Sequence, residues 1–249
     1  MTICVAESVI AGCGRIDPDD LARRFVDWLP VGRGKGRATT EAVENLLEGR
    51  HWSEAGVSSA GNGAAMRAAP VGLAQRVRTA DLVWDAALSA LVTHAHPMAV
   101  SSAVAHAFTV GWLTGVEPGR LDVDGLMSAL EGVLSAVDDP GDVEREWQYR
   151  EGKDSSPVRL VDRLVEVRSW TDRPPEDAFG WFHNGAFVLE SLPAALWSFL
   201  RAPDDPEEVI VTAVMGGHDA DTIASMAGAY VGAYLGESAF PERWRGDDL

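Results

Sequence analysis

The sequence predicts an all-α fold in a single domain, and three observations support that prediction. Apolar residues recur at helical spacing in most segments, whereas no segment alternates apolar and polar residues as a half-buried strand would. The 249 residues can bury one large core, since hydrophobic residues make up 46% of the chain and charged residues 24%. No tandem repeat or interdomain linker interrupts the chain, so we expect one domain over residues 1–249.

The first half of the chain predicts helices that begin at recognisable caps. Residues 2–12 fit a core helix, although no N-terminal cap precedes it. Asp17 and Pro18 open a second helix, with the aspartate as N-cap and the proline at the first helical position. The basic loop, residues 32–37 (GRGKGR), is interpreted as solvated, with contact to a phosphate as the alternative. Further helices are expected at residues 39–47, 64–69, 80–92 and 99–113.

In the second half, helices are expected at residues 123–137, 140–149 and 158–167, with polar loops at 150–157 and 169–178. Residues 181–200 contain a glycine turn that runs into an apolar helix. Asp205 and Pro206 begin a further helix, which leads to the most informative stretch of the chain.

That stretch is the acidic turn, residues 215–222 (MGGHDADT). Gly216 and Gly217 permit a sharp bend into a helix that Thr222 is placed to cap. Asp219 and Asp221 alternate, so both carboxylates can point to one spot beside the helix N-terminus. Together with the hydroxyl of Thr222 they form the all-oxygen donor set that suits Mg²⁺ or Mn²⁺. The alternative is an ordinary N-cap, with acids that favour the helix dipole.

The helix after the acidic turn carries small residues every four positions, at Ala224, Gly228, Gly232 and Gly236. One face of this helix therefore has almost no side chain, and we expect a neighbouring helix to pack there at close range and hold the acidic turn rigidly.

Two further segments carry candidate binding residues. The glycine turn, residues 61–63 (GNG), precedes a run of small residues, and its backbone N–H groups are suited to an anion, with a plain loop as the alternative. His94 and His96 form an H-x-H motif that raises the question of zinc. Zinc would need another ligand, such as His106, His183 or Asp219, and a hydrogen-bonded structural histidine is the favoured interpretation.

Composition restricts the partners and the compartment. The net charge of −17 argues against nucleic acid or an anionic membrane, because neutralising phosphates requires clustered Lys and Arg. Cys4 and Cys13 form no C-x-x-C motif, and no basic leader opens the chain, so we expect a cytoplasmic protein. Residues 86–116 lack charged side chains but contain three histidines and Pro97, which favours two buried helices over a membrane span.

Taken together, these segments resemble the ADP-ribosylglycohydrolase family, which includes the enzyme that reactivates dinitrogenase reductase. The matching segments are residues 61–70 (GNGAAMRAAP), 93–94 (TH) and 217–222 (GHDADT) with its small-residue helix, and also 184–185 (NG) with 190–197 (ESLPAALW). The match runs over the whole chain in order. It implies a compact orthogonal helical bundle that hydrolyses the N- or O-glycosidic bond at the anomeric carbon of ADP-ribose.

The resemblance also implies roles for particular residues. Asp219 and Asp221 would be catalytic and, with Thr222, would ligate the metal, two Mg²⁺ or Mn²⁺ ions being expected in the complete family site. The residues expected at the phosphates, the ribose or the wall of the substrate cleft are Ser59, Gly61, Asn62, Gly63 and His94. The implied partner is an ADP-ribosylated protein or a small ADP-ribosyl compound.

The sequence departs from the family pattern at its start. Family members normally carry a glutamate and a Thr-Asp-Asp-Thr metal motif some tens of residues earlier, whereas residues 1–7 resemble the segment just after that motif. We therefore expect an N-terminally incomplete domain that holds half of the dinuclear site. Two other hypotheses stay open: a catalytically impaired ADP-ribose-binding remnant, and an unrelated metal hydrolase that uses His94 and His96.

Overall fold

A computed structural model describes residues 1–137 and 159–245, and within these residues the protein is a bundle of helices. Two isolated β-bridges, between Val57 and His94 and between Gly61 and Phe187, are the β-type pairings among the described residues. The α-helices are α1 Thr2–Ala11, α2 Pro18–Trp28, α3 Arg37–Leu47, α4 Trp52–Ala55, α5 Ala69–Gln75, α6 Thr79–Leu91, α7 Pro97–Leu113, α8 Val123–Leu134, α9 Leu160–Glu166, α10 Pro175–Phe182, α11 Val188–Arg201, α12 Pro206–Met215 and α13 Ala220–Leu235.

Local sequence signals explain where several of these helices begin. The carboxylate of Asp17 accepts hydrogen bonds from the backbone N–H groups of Asp19 and Asp20, at 3.0 and 3.3 Å, and so caps α2. Asp205 caps α12 in the same way, accepting from the N–H of Glu208 at 3.0 Å. Proline follows both caps at a position where its missing N–H is not needed. These two predicted helix starts are confirmed.

The core is organised around two almost fully buried helices, α7 and α11. Helix α7 packs against α5, α6 and α13, and α11 packs against α12 and α13. Helices α5 and α7 approach closely because Gly72 has no side chain. A Cβ at this position would lie 2.2 Å from the carbonyl oxygen of Ala107, which is too close to fit. Helix α7 is the buried helix expected from the uncharged stretch, whereas α6 is only partly buried, with the side chain of Trp84 exposed. Among the described residues, no helix combines the length and apolar character that crossing a membrane requires.

A buried polar pair links α7 to α13, the helix that carries the acidic turn at its N-terminus. Nδ1 of His106 lies 2.9 Å from the hydroxyl oxygen of Tyr230, and both side chains are almost completely buried. Burial lowers the pKa of His106 to about 3 and raises the pKa of Tyr230, so both groups are neutral at pH 7. The pair therefore fixes α13 to the core without burying a charge.

The face of small residues on α13 also packs closely, as predicted, although its two central glycines contact different partners. A side chain on Gly228 would lie 3.0 Å from Cδ1 of Ile210 on α12, and one on Gly232 would lie 3.4 Å from the ring of Phe240. Helix α12 therefore packs against α13 at Gly228, where α13 has no side chain.

The fold also corrects several expectations. Two short helices, α4 and α10, were not expected, and α10 occupies part of the predicted loop at residues 169–178. The small-residue segment at 64–69 is mostly a 3-10 turn, Ala65–Arg67, that precedes α5. The helix predicted at 140–149 and the loop at 150–157 lie outside the described residues.

Candidate active site

A cleft of about 740 Å³ brings the predicted site residues together. Its walls come from the acidic turn, the glycine turn, the basic loop and the segment before α7. Every residue proposed from the sequence for metal or substrate binding lines this cleft, namely Ser59, Gly61, Asn62, Gly63, His94, Asp219, Asp221 and Thr222. Segments more than 150 positions apart in the chain thus share one concave surface.

The acidic turn is held in place by Asn184, which precedes α11. The side-chain amide of Asn184 donates to the carbonyl oxygen of Gly216 at 3.1 Å, and its backbone carbonyl accepts from the N–H of Asp219 at 3.0 Å. Between these contacts the chain adopts positive φ at Gly217 (67°) and His218 (54°). The turn is therefore fixed by a buried side chain from a distant segment, not only by its own glycines.

The carboxylate of Asp219 accepts two side-chain hydrogen bonds, whereas that of Asp221 contacts the backbone N–H of Thr222. The hydroxyl of Thr222 donates to Oδ1 of Asp219 at 3.1 Å, and the amide of Asn62 donates to Oδ2 of the same carboxylate at 2.5 Å. Oδ1 of Asp221 accepts from the N–H of Thr222 at 3.0 Å. Helix α13 begins at Ala220 with Asp219 in the N-cap position, so the expectation that Thr222 caps the helix is wrong. Thr222 lies in the first turn, where its hydroxyl faces Asp219.

This donor set fits one hard divalent cation. Mg²⁺ is commonly held by one or two carboxylates while it keeps several waters, and carboxylate and hydroxyl oxygens are the atoms present on this wall. Glu41 of α3 lines the same cleft. However, the described residues contain no group of three or more His, Cys, Asp or Glu side chains placed to hold a metal. The two aspartates and Thr222 are therefore candidate donors only, and metal binding, whether to one ion or two, stays a prediction.

The glycine turn is tied to the segment that precedes α11. The N–H of Asn62 donates to the carbonyl oxygen of Ala186 at 2.9 Å, and the N–H of Gly61 donates to the hydroxyl oxygen of Ser59 at 3.2 Å. These two amides are thus engaged within the protein. A side chain on Gly63 would lie 2.7 Å from Cε1 of His94, so the absence of one lets the imidazole pack directly against the turn.

His94 is a buried, neutral side chain at the floor of the cleft. Its Nδ1 lies 2.8 Å from the hydroxyl oxygen of Thr93. Burial, and then the nearby positive charge of Arg67, lowers the pKa of His94 to about 3. The other histidine of the H-x-H motif has a different task, because Nδ1 of His96 accepts from the N–H of Met98 and caps α7.

The basic loop was interpreted as solvated, and the structure shows that it also forms part of the cleft wall. Arg33 and Arg37 line the cleft, although both are solvent exposed, and Lys35 donates to the carbonyl oxygen of Leu29 at 2.9 Å. The charge of the loop was the sequence signal for this placement. Nothing comparable marks Trp28 or Glu41, which also line the cleft and which the sequence analysis missed.

Comparisons with known proteins show what the whole chain is similar to. The family profile described as ADP-ribosylglycohydrolase matches residues 1–247. A protein of Archaeoglobus fulgidus described as uncharacterized is 33% identical over 244 residues, covering 97% of this chain and 71% of its own length.

Two relatives with a named activity and one solved structure are also similar. ADP-ribosylhydrolase ARH3 of Gallus gallus is 31% identical, with 98% of this chain and 71% of that protein covered. The Homo sapiens protein of the same name is 33% identical, with 92% and 68% covered. A solved structure titled ADP-ribosylglycohydrolase-related protein complex superposes with a TM-score of 0.66 at 29% identity, covering 98% of this chain and 72% of that one.

Proposed function

Because this chain belongs to the ADP-ribosylglycohydrolase family and is thus a glycohydrolase-type hydrolase, we propose that it uses a divalent cation to cleave ADP-ribose from its acceptor. The acceptor is a protein side chain or the corresponding group of a small ADP-ribosyl compound. The observation that carries the proposal is the convergence of the acidic turn, the glycine turn and His94 on one cleft.

The cleft offers suitable groups for an anionic diphosphate, which a protein of net charge −17 would otherwise repel. Arg33 and Arg37 line one wall, and neither forms an ion pair with an acidic side chain among the described residues. Their guanidinium groups are therefore free to contact phosphate oxygens, for which the planar fork of donors is well suited. The neutral imidazole of His94 adds a hydrogen-bonding group at the floor.

Asp219, Asp221 and Thr222 would hold Mg²⁺ or Mn²⁺, with the amide of Asn62 orienting the first carboxylate. When bound, the cation would orient the ribose hydroxyls and offset the charge of the diphosphate.

In the reaction, the oxygen of a water forms a bond to the anomeric carbon while the bond to the acceptor atom breaks. The acceptor atom keeps the bonding electron pair and receives a proton from the water. Asp221, exposed on the cleft wall, is our candidate to take that proton first.

The test is release of ADP-ribose from proteins ADP-ribosylated on arginine or on serine and from a small ADP-ribosyl compound, with Mg²⁺, with Mn²⁺ and with chelator. We expect metal-dependent turnover that disappears in Asp221→Ala. The matched control is Asp177→Ala, which removes another exposed aspartate from the first turn of a helix, α10, that does not line the cleft. Turnover that is unchanged by chelator or by Asp221→Ala would contradict the assigned metal site.

A second candidate function is binding of ADP-ribose without hydrolysis. It is favoured by one observation: the described residues supply two carboxylates at the acidic turn and no group of three acidic or other metal-binding side chains. Calorimetric titration with ADP-ribose separates the two candidates. Binding by a well-folded chain that turns over no substrate in the panel would favour the binding function, whereas turnover would eliminate it.

A further inference from the structure

A buried cation lies directly behind the substrate-facing histidine. The side chain of Arg67 is completely buried, with its guanidinium carbon 4.7 Å from the ring centre of Phe25. Its Nη1 donates to the carbonyl oxygen of Gly63 at 3.1 Å, and its Nη2 donates at 2.7 Å to the carbonyl oxygen of Ser89 and to the hydroxyl oxygen of Thr93. No carboxylate among the described residues forms an ion pair with it.

An arginine without a buried counter-ion is costly, because its charge loses hydration without gaining a carboxylate. Burial lowers the pKa of Arg67 to about 9, so the guanidinium still carries its charge at pH 7. Its partners are neutral, namely three oxygens and the sulfur of Met1 at 4.0 Å, and one of the oxygens belongs to the glycine turn of the cleft. Two of these bonds give Arg67 a structural role, at the last turn of α6 and at the glycine turn, and the third places its charge next to Thr93, one residue before His94.

The hydrogen bonds continue from Arg67 to the cleft in a fixed direction. A guanidinium can only donate, so the hydroxyl oxygen of Thr93 accepts from it. The hydroxyl proton of Thr93 then points to Nδ1 of His94, 2.8 Å away, and the described residues offer it no other acceptor. A ring nitrogen that accepts carries no hydrogen, so the hydrogen of the neutral imidazole is on Nε2. Nε2 lies beside Gly61 and Gly63 of the glycine turn, and all three residues line the cleft.

We propose that Arg67 is a positioning residue, which acts through Thr93 to hold His94 in the Nε2–H tautomer so that His94 donates a hydrogen bond to a phosphate oxygen of the substrate. This inference rests on the proposed function, since it assigns a role within the same cleft. It also gives the buried charge a purpose, because a positive group behind the imidazole strengthens a hydrogen bond from Nε2 to an anion.

The test is nitrogen NMR of the full chain labelled with ¹⁵N-histidine, in which Nδ1 and Nε2 of a neutral ring give distinct signals for each tautomer. The His94 signals are identified by their loss in His94→Gln. We expect the Nε2–H tautomer in the wild type and a mixture, or the Nδ1–H tautomer, in Thr93→Val. Thr93→Ser keeps a hydroxyl and is expected to restore the wild-type state. His106, bonded to Tyr230, provides an internal reference that stays unchanged.

Binding of ADP-ribose supplies the functional readout. We expect the dissociation constant to rise about tenfold in Thr93→Val and to recover in Thr93→Ser, the size expected for one hydrogen bond. The matched control is Thr109→Val, which removes a buried hydroxyl on α7 that donates to the carbonyl oxygen of Ala105 at 2.8 Å, away from the cleft. Its affinity is expected to match the wild type.

Several outcomes would overturn the inference: an Nδ1–H tautomer in the wild type, an unchanged tautomer in Thr93→Val, or an equal loss of affinity in Thr109→Val. The wild-type spectrum tests the assignment by itself, so a Thr93→Val chain that fails to fold does not remove the test. If the wild type shows the Nε2–H tautomer but binds no ADP-ribose, the proposed function fails and the role of Arg67 toward a phosphate fails with it, while the tautomer assignment stands.

Discussion

Gly216→Ala tests whether the acidic turn is held by Asn184. A Cβ at this position would lie 2.8 Å from Nδ2 and 3.1 Å from Cγ of Asn184, and 3.1 Å from the ring of Phe179. The backbone of Gly216 is itself in the ordinary helical region, at φ −64° and ψ −18°. The substitution therefore introduces a steric conflict with the amide without requiring a left-handed conformation.

The magnitude combines three contributions. Overpacking of this kind costs about 1–3 kcal/mol. Displacing the amide also removes its hydrogen bond to the carbonyl of Gly216, which costs about 0.5–1.5 kcal/mol. Replacing glycine by alanine at a helical φ restricts the unfolded chain and returns about 0.4–1 kcal/mol. We expect a net loss of about 0.5–4 kcal/mol, or roughly 1–16 °C in Tm for a chain of this size.

The assay is urea unfolding of the wild type and the variant, together with calorimetric titration of Mn²⁺. Since the carbonyl of Asn184 also accepts from the N–H of Asp219, a displaced Asn184 is expected to weaken metal binding as well. The matched control is Gly132→Ala on the exposed surface of α8, where a Cβ meets nothing within 4 Å. That variant should be as stable as the wild type or slightly more stable. A Gly216→Ala chain with wild-type stability and metal affinity would refute the reasoning.

Three further predictions concern charge and protonation. Asp221→Asn is expected to weaken Mn²⁺ binding at least about tenfold by calorimetry, with Asp177→Asn unchanged, because only the first removes a charged donor from the cleft. Arg37→Gln is expected to raise the dissociation constant of ADP-ribose by about three- to tenfold at low salt and by less at high salt, because an exposed contact is screened. Burial lowers the pKa of His106 from 6.5 to about 3, so the unfolded chain binds a proton there that the folded chain does not. The stability that this difference contributes is complete above pH 6.5 and is lost as pH falls towards 3. His106→Phe should therefore flatten the pH dependence of the unfolding free energy in that window, at a cost of about 1–3 kcal/mol at pH 7 because Tyr230 loses its partner.

Local chemistry explains why much of the fold was predictable. Asp17 and Asp205 cap helices through bonds to N–H groups two or three positions ahead, so the signal and the structure occupy the same few residues. The turn at Gly217 was predictable for the same reason. Local signals gave a wrong prediction at Thr222, because a threonine after a polar turn can be either the N-cap residue or a residue of the first helical turn. In the structure Asp219 is the N-cap residue, and the hydroxyl of Thr222 donates to its carboxylate from the first turn of α13.

The sequence by itself therefore determined the all-α class through its apolar periodicity. It determined most helix starts, the family and the identity of the candidate site residues through short motifs. Only the tertiary structure decided which groups meet. Asn62 reaches Asp219 across 157 positions, and Asn184 holds the acidic turn from the segment before α11. The hydrogen bonds from Arg67 through Thr93 to His94 likewise join two separate backbone segments near the cleft. Contacts of this kind depend on how buried helices pack, and packing is set by the shape of the whole core rather than by any local spacing of residues.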